Sequence, residues 1–355
     1  MNINITTVNG EIHVAYHQQV CEKCILPESF PGISFRADGV CSYCDSEEER
    51  VDGSREALDE AVRSCLEGAD RRDYDCLVLY SGGKDSSLAL TVAQRDLGLR
   101  VLAFTLDNGY LSADTSENMR RVLDSLGVDH VRFRPPAGIM APLYRVSMQL
   151  DFDANTTKYS TGGCGSCISM VLAAGLRFAT AHSIPLLVGG WTPGQFTTSP
   201  LVSVAFLQDV IARHFGPLQA ASSSLDEQLV AWHHTDSSDS PLGLLNPLYV
   251  SPYSEEETIR QLNSLGWAKP RDTDSCSTNC RLNALLILDH IKKYGFHPYA
   301  YELAHHVRLG GLSRAAALEK VSSIGVRPQT LDRVAVELGI PSVLPPTEHP
   351  LHIPA

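Results

Sequence analysis

The chain has no apolar run long enough to span a membrane, no basic-then-apolar layout at Met1-Asn2-Ile3-Asn4-Ile5, and no surplus of positive charge. Each shortage excludes something. The first two set aside a helical membrane protein and an exported one, and leave a cytoplasmic protein as the expectation. The third, 29 Lys and Arg against 41 Asp and Glu for a formal charge of −12, disfavours a nucleic-acid partner, which needs a basic footprint, and favours a small substrate. The Walker pattern G-x-x-x-x-G-K-[ST] is also missing. Cysteine, by contrast, is plentiful. Eight of the ten cysteines fall in close pairs, and in 355 residues without an export signal this points to metal rather than disulfides.

Cys76 to Tyr80 is an apolar run of strand formers, and Leu88 to Ala93 reads as helix. Between them lies Ser81-Gly82-Gly83-Lys84-Asp85-Ser86-Ser87. Two adjacent glycines let backbone N–H groups converge on an anion, and the helix that follows adds its positive end. Lys84 supplies a point charge for phosphate oxygens, the serines supply hydroxyls, and Asp85 suits Mg²⁺, which takes carboxylate and phosphate oxygens. The stretch resembles the PP-loop signature S-G-G-x-D-S of the ATP pyrophosphatase superfamily. That resemblance implies ATP as co-substrate, adenylation of a substrate oxygen, release of pyrophosphate, and displacement of AMP by nitrogen or sulfur. It also implies adenosine contacts from Leu106 and Asp107, which end the apolar run Val101 to Leu106, and a cofactor-side role for Gly189.

Further runs at Asp129–Phe133 and Ile184–Val188, with a helix over Ser116–Leu126, alternate strand and helix. The expected class is therefore α/β, a doubly wound parallel sheet. Cys21-x-x-Cys24 and Cys41-x-x-Cys44 stand sixteen residues apart, with turn residues around a short strand at Ile33–Phe35, which is the spacing of a ribbon holding one Zn²⁺ on four thiolates. A redox or cluster role for these four is the alternative. The charged stretch from Asp45 to about Arg72 is expected as an exposed joining helix, with Asp45 to Arg50 at its solvated start. Cys65 and Cys76 read as small buried apolar residues.

Cys164-Gly165-Ser166-Cys167 opens one helical segment, and Cys276-Ser277-Thr278-Asn279-Cys280 opens another. Both follow the phosphate loop. This arrangement resembles the iron–sulfur-dependent PP-loop thiolases that make 2-thiocytidine and 2-thiouridine in tRNA. The resemblance implies a [4Fe–4S] cluster on Cys164, Cys167 and Cys276, one iron open to sulfide, and a sulfur donor such as a cysteine desulfurase. Cys280 is then a fourth ligand or a catalytic relay thiol. A second zinc, inert cysteines or a disulfide remain the other readings of this set.

The strand end Leu186-Leu187-Val188-Gly189-Gly190-Trp191 lacks the histidine and paired aspartates of the tRNA enzymes, which moves the expected substrate towards a free nucleobase, nucleotide or sugar. Gln195 can hydrogen-bond a nucleobase or amide, and Trp191 can stack on a planar ring. The ribbon and phosphate loop are also similar to those of the N-acetyl sugar amidotransferases of surface-glycan biosynthesis, where ammonia replaces sulfide. The organisation expected is a zinc ribbon over 1–50, an ATP-binding domain over 51–250 with an insertion at about 200–245, and a helical region over 251–355. His233-His234 reads as a solvated pair, Arg308 and Arg314 as candidates for anion binding, and a homodimer is compatible with the whole.

Overall fold

The computed structural model describes residues 3–45, 54–67, 73–136, 138–195, 199–232, 242–250 and 253–344. The chain starts with a hairpin, β1 (Ile3–Val8) and β2 (Glu11–Tyr16), turned at Asn9-Gly10, both at positive φ. The ribbon follows. Its expected strand at Ile33–Phe35 is reduced to a single bridge, Phe35 to Cys41, because Pro31-Gly32 on one side and the cysteine knuckle on the other leave no room for a ladder. A single turn, α1 (Ser42–Asp45), closes it. Of the acidic stretch 45–50, residues 46–50 lie outside the described residues, as does the His233-His234 pair.

The charged joining segment contains α2 (Arg55–Leu66), capped by Ser54, whose Oγ accepts the Ala57 N–H at 3.1 Å. It is not simply exposed. Leu58, Val62 and Cys65, at helical spacing, bury one stripe.

The core alternates β3 (Cys76–Leu79), α3 (Lys84–Thr91), β4 (Val101–Leu106), α4 (Ala113–Leu126), β5 (Asp129–Phe133), α5 (Met140–Gln149), α6 (Ala154–Thr157), α7 (Gly162–Ala181) and β6 (Leu186–Val188). Next come β7 (Leu201–Ser203), α8 (Val204–Ala221), α9 (Ser223–Val230) and β8 (Gly243–Leu245). The strands lie in the order β5-β4-β3-β6-β8-β7, all parallel except β7, which runs antiparallel to β8. The doubly wound sheet is thus present, and its order reverses between β3 and β6. The stretch expected as an insertion supplies two strands and the helix α8, which packs on α7. Three-residue strands carry too little periodicity to announce themselves.

Alternation along β3 builds two cores. Leu77 and Leu79 face α5, α7 and α8, while Cys76 and Val78 face α2, α3 and α4. Cys65 and Cys76 sit in the second core as small apolar groups, as expected. One helix, α7, is after all long and apolar enough to cross a membrane by length and composition. Its apolarity has another cause here, since it packs against β3, β4 and β6 with residues such as Met170, Leu172 and Leu176 fully buried.

The C-terminal region is helical: α10 (Glu255–Asn263), α11 (Asn283–Tyr294), α12 (Ala300–Arg308), α13 (Arg314–Ser322) and α14 (Pro328–Leu338). The expected capping residue holds, with Ser254 Oγ accepting the Glu257 N–H at 3.4 Å. Phe296, Ala300, Leu303, Ala317 and Val321 form one apolar cluster with the four ribbon cysteines, so the ribbon is docked on α12 and α13.

Candidate active site

The phosphate loop lies at the switch point, between the C-terminal ends of β3 and β6. Gly82 has φ +74, and a Cβ there would come within 2.8 Å of the Met119 and Thr115 side chains. Only glycine makes this turn. Ser81 and Ser86 brace it, their hydroxyls 3.0 Å apart, with Ser86 Oγ accepting the Ser81 N–H at 3.2 Å. Across the gap Gly190 approaches so closely that its Cβ would stand 2.7 Å from the backbone of Ser86. Gly189 instead makes room for the Trp191 ring.

Lys84 is buried and its Nζ lies 2.8 Å from the Asp85 carboxylate, which also accepts the Tyr253 hydroxyl. Burial works against the ammonium, but Asp85, Tyr253 and Glu255 outweigh it and hold the Lys84 pKa well above its ordinary value. The lysine is therefore charged at any working pH.

One cavity of about 270 Å³ is lined by Ser81, Gly83, Lys84, Asp85 and Ser86 and by all four cysteines of the second set, Cys164, Cys167, Cys276 and Cys280. Four segments remote in sequence meet there. Cys164 and Cys167 stand in the first two turns of α7, whose cap Thr161 accepts the Cys164 N–H at 2.9 Å. The loop 276–280 is shaped by buried Asp274, which accepts the N–H groups of Cys276 and Ser277 at 2.9 and 2.7 Å. It then crosses the phosphate cradle, where Thr278 Oγ1 accepts the Lys84 N–H at 2.9 Å.

Of the residues expected at this site, Gly82, Ser87, Leu106, Asp107 and Gly189 do not line the cavity. Ser87 is fully buried, its hydroxyl 3.5 Å from that of Tyr80. Asp107 pairs with Arg132 at 3.1 Å and accepts the Gly109 N–H at 3.0 Å. Arg314 is not an anion site: it donates to the carbonyls of Cys21 and Cys24, both at 2.8 Å. Arg308 stacks over Tyr301. Residues the sequence gave no reason to single out are Tyr253, Thr278, Tyr299, Glu302 and Asn108.

The two cysteine sets differ in geometry. In the ribbon, the Sγ atoms of Cys21 and Cys44, Cys24 and Cys41, and Cys41 and Cys44 are 3.8, 3.7 and 3.7 Å apart. A tetrahedral ion with bonds of about 2.3 Å to sulfur requires edges of about 3.8 Å, so these residues fit a single metal ion. They are buried and leave no open ligand position.

Among the described residues no other group of three cysteines comes so close together. The second set is too spread for one ion, and all ten cysteines are free, which removes the disulfide reading. Four recessed thiols around one cavity fit a larger metal group. Burial pushes their pKa values up, Cys280 to about 11 and Cys276 to about 12, so they are protonated until a metal takes them. Asn108 Nδ2 reaches Cys167 Sγ at 3.9 Å and Cys280 Sγ at 3.5 Å, and Cys164 donates to Asn283 Oδ1 at 2.8 Å. Cys276 is set apart: it alone of the four also lines a smaller cavity with Lys84, Tyr253 and Lys320.

Comparison with known proteins agrees with the phosphate loop. Residues 53–152 match the asparagine synthase family model, a domain of the PP-loop superfamily. Over 250 residues the chain is 26% identical to an uncharacterized protein of Methanocaldococcus jannaschii, spanning 70% of this chain and 72% of that one. Similar solved structures include a predicted subunit of tRNA methyltransferase from Methanocaldococcus jannaschii, at 17% identity and TM-score 0.33, covering 64% of this chain and 91% of that one. An NH3-dependent NAD synthetase from Campylobacter jejuni is 14% identical with TM-score 0.30, covering 50% and 80%. A U34-tRNA thiolase from Methanococcus maripaludis, with its [4Fe–4S] cluster, is 15% identical with TM-score 0.31, covering 82% and 87%. Scores of this size carry no argument about activity.

Proposed function

We propose that this chain, whose site resembles that of the PP-loop ATP pyrophosphatases, adenylates an oxygen of a small substrate and replaces it with sulfur. The family match and the loop support the first half, ATP-dependent adenylation by an enzyme. The observation that carries the second half is the sharing of one cavity by the phosphate loop and Cys164, Cys167, Cys276 and Cys280.

In the first step the substrate oxygen attacks the α-phosphorus, the bond to the β-phosphate oxygen breaks, and pyrophosphate leaves with the electron pair. Lys84 and the loop N–H groups hold the phosphate oxygens, and Asp85, released from Lys84, takes Mg²⁺. Lys84 N–H must first leave Thr278, so the 276–280 loop shifts as ATP enters. In the second step sulfide attacks the activated carbon, the carbon–oxygen bond breaks and AMP departs. A [4Fe–4S] cluster, when bound, supplies an iron site for sulfide. Cys164 and Cys167 are two of its ligands. The resemblance to the thiolases makes Cys276 the third, whereas the neighbourhood of Cys280, bridged to Cys167 by Asn108, favours Cys280 and leaves Cys276 as a free thiol beside Lys84.

The test is anaerobic turnover with ATP and sodium sulfide or ammonium. Sulfide should support pyrophosphate release and a product in which sulfur replaces oxygen, with a cysteine desulfurase able to replace free sulfide. Turnover with ammonium on protein free of iron would instead establish an amidotransferase, for which the ribbon and loop serve equally well.

For the ribbon the reading is structural Zn²⁺. Cys41→Ser should remove one zinc equivalent and lower Tm by about 3 °C, the shift roughly 2 kcal/mol produces in a chain of 355 residues. Because the ribbon packs on α12, the loss reaches the active cavity only indirectly. Elemental analysis finding no zinc in the intact protein refutes the assignment.

A further inference from the structure

Glu302, in the first turn of α12, lines the cavity of the phosphate loop and also two smaller cavities, of about 110 and about 40 Å³, that share residues with it. It is a carboxylate that neither the nucleotide nor the cysteines claim. Its side chain is 15% exposed, so it is recessed yet within reach of a molecule in the cavity. Oε1 accepts the Thr192 hydroxyl at 3.0 Å. Gln195 accepts the Thr192 N–H on its amide oxygen at 3.2 Å, which leaves its nitrogen to donate to Glu302.

Among the described residues no cation is set against this carboxylate. Lys84 on α3 is paired with Asp85 at 2.8 Å, and Lys320 on α13 with Glu255 of α10 at 3.0 Å. Its other titratable neighbours, Tyr253, Tyr299, Cys276 and His306, are uncharged, because burial pushes the phenol and thiol pKa values up and the imidazole down to about 4. Burial raises the Glu302 pKa too, and Lys84, Gln195 and Thr192 offset only part of it. The carboxylate is thereby made more basic. His306 Nε2 has no hydrogen-bond partner and lies 3.9 Å from Glu302 Oε1, so in the tautomer with that nitrogen bare it is the next stop for a proton leaving the carboxyl.

Adenylation has a proton to dispose of. As the substrate oxygen bonds to the α-phosphorus and pyrophosphate leaves with the electron pair of the broken bond, a hydroxyl sheds its O–H proton and an amide carbonyl its N–H proton. Few groups lining the cavity can take it. Lys84 is already protonated, Asp85 goes to Mg²⁺, Tyr144 and Tyr299 are held in the phenol form by burial, and the cysteines are thiols or metal ligands. We propose that Glu302 is the proton acceptor of the adenylation step, taking the proton from the attacking oxygen or from the nitrogen conjugated to it. The role rests on the adenylation reading and is indifferent to whether sulfide or ammonia follows.

The test uses the whole protein, Mg²⁺ and ATP radiolabelled at the α-phosphate, with AMP and adenylate formation followed against pH. Water serves as acceptor, since it attacks the same phosphorus and sheds the same proton, and a deproteinised extract of small cell metabolites is run in parallel. Glu302→Gln, which keeps the shape and an acceptor for Thr192, should slow the reaction by about 10²–10⁴-fold and abolish the fall in rate towards acid pH. Affinity for a non-hydrolysable ATP analogue and Tm should stay at wild-type values. Glu302→Asp should keep the acid limb, and sodium formate should restore part of the rate to Glu302→Ala, which a merely structural role does not predict. A Glu302→Gln rate within about threefold of wild type, or an acid limb retained in that variant, overturns the role and leaves adenylation standing. No labelled product from the wild type with either acceptor overturns adenylation of a small substrate and the role together.

Discussion

Lys84→Ala should lower pyrophosphate release by about 10²–10³-fold, the usual loss when a fixed charge stabilising the transition state is removed. Lys84 is the lysine of the phosphate loop, it is buried, and its partners keep it charged. The substitution also strands Asp85, which keeps only its hydrogen bond from Tyr253. Breaking such a partly buried pair destabilises by up to about 3–5 kcal/mol, so a thermal melt must accompany the assay. Lys84→Met, which keeps the stem, should fold better and fail equally. Turnover within threefold of wild type in a folded variant would remove Lys84, and with it the phosphate cradle, from the mechanism.

The other large effect concerns iron. Anaerobically purified protein should be brown and bleach in oxygen, and Cys164→Ala or Cys167→Ala should each drop iron from about four per chain to near zero. The remaining pair separates two ligand sets. Loss of the cluster in Cys280→Ala with retention in Cys276→Ala would follow from the Asn108 bridge between Cys167 and Cys280. The opposite result would follow the thiolase resemblance and leave Cys280 as relay thiol. Loss in both would mean a fully ligated cluster, with no iron left for sulfide. Protein that stays colourless after iron–sulfur reconstitution rules out sulfur transfer by this route and promotes the amidotransferase.

Much of the core was legible because single short stretches carry it. Cys76 to Tyr80 and Val101 to Leu106 read as buried strands from apolar content alone, and the Gly-Gly pair between strand and helix fixed the phosphate loop. The ribbon was legible because C-x-x-C brings two thiolates together locally. What escaped was assembled across the chain. β7 and β8 have three residues each and are defined by the strands they join. Thr278, Tyr299 and Glu302 are single polar residues on a loop and on or beside helices, and only tertiary packing makes them face one cavity. Asp107 ends the expected strand, and its carboxylate pairs with Arg132 at 3.1 Å, a partner its place in the sequence does not announce.

The pairing of the chain's two ends bears on the order in which the protein is made. Ile12 N–H donates to the Val326 carbonyl, Ile324 N–H donates back to Ile12, and Tyr16 Oη donates to Val321 across 305 residues of sequence. Synthesis runs from the N-terminus, so the hairpin and ribbon leave the ribosome long before α12, α13 and residues 321–326 exist to cover them. Contacts this distant form slowly, after the local βα units of the sheet have already closed. A nascent chain arrested at residue 320 should therefore hold a protease-resistant sheet and a protease-sensitive N-terminus. The segment translated first is the last to be sheltered.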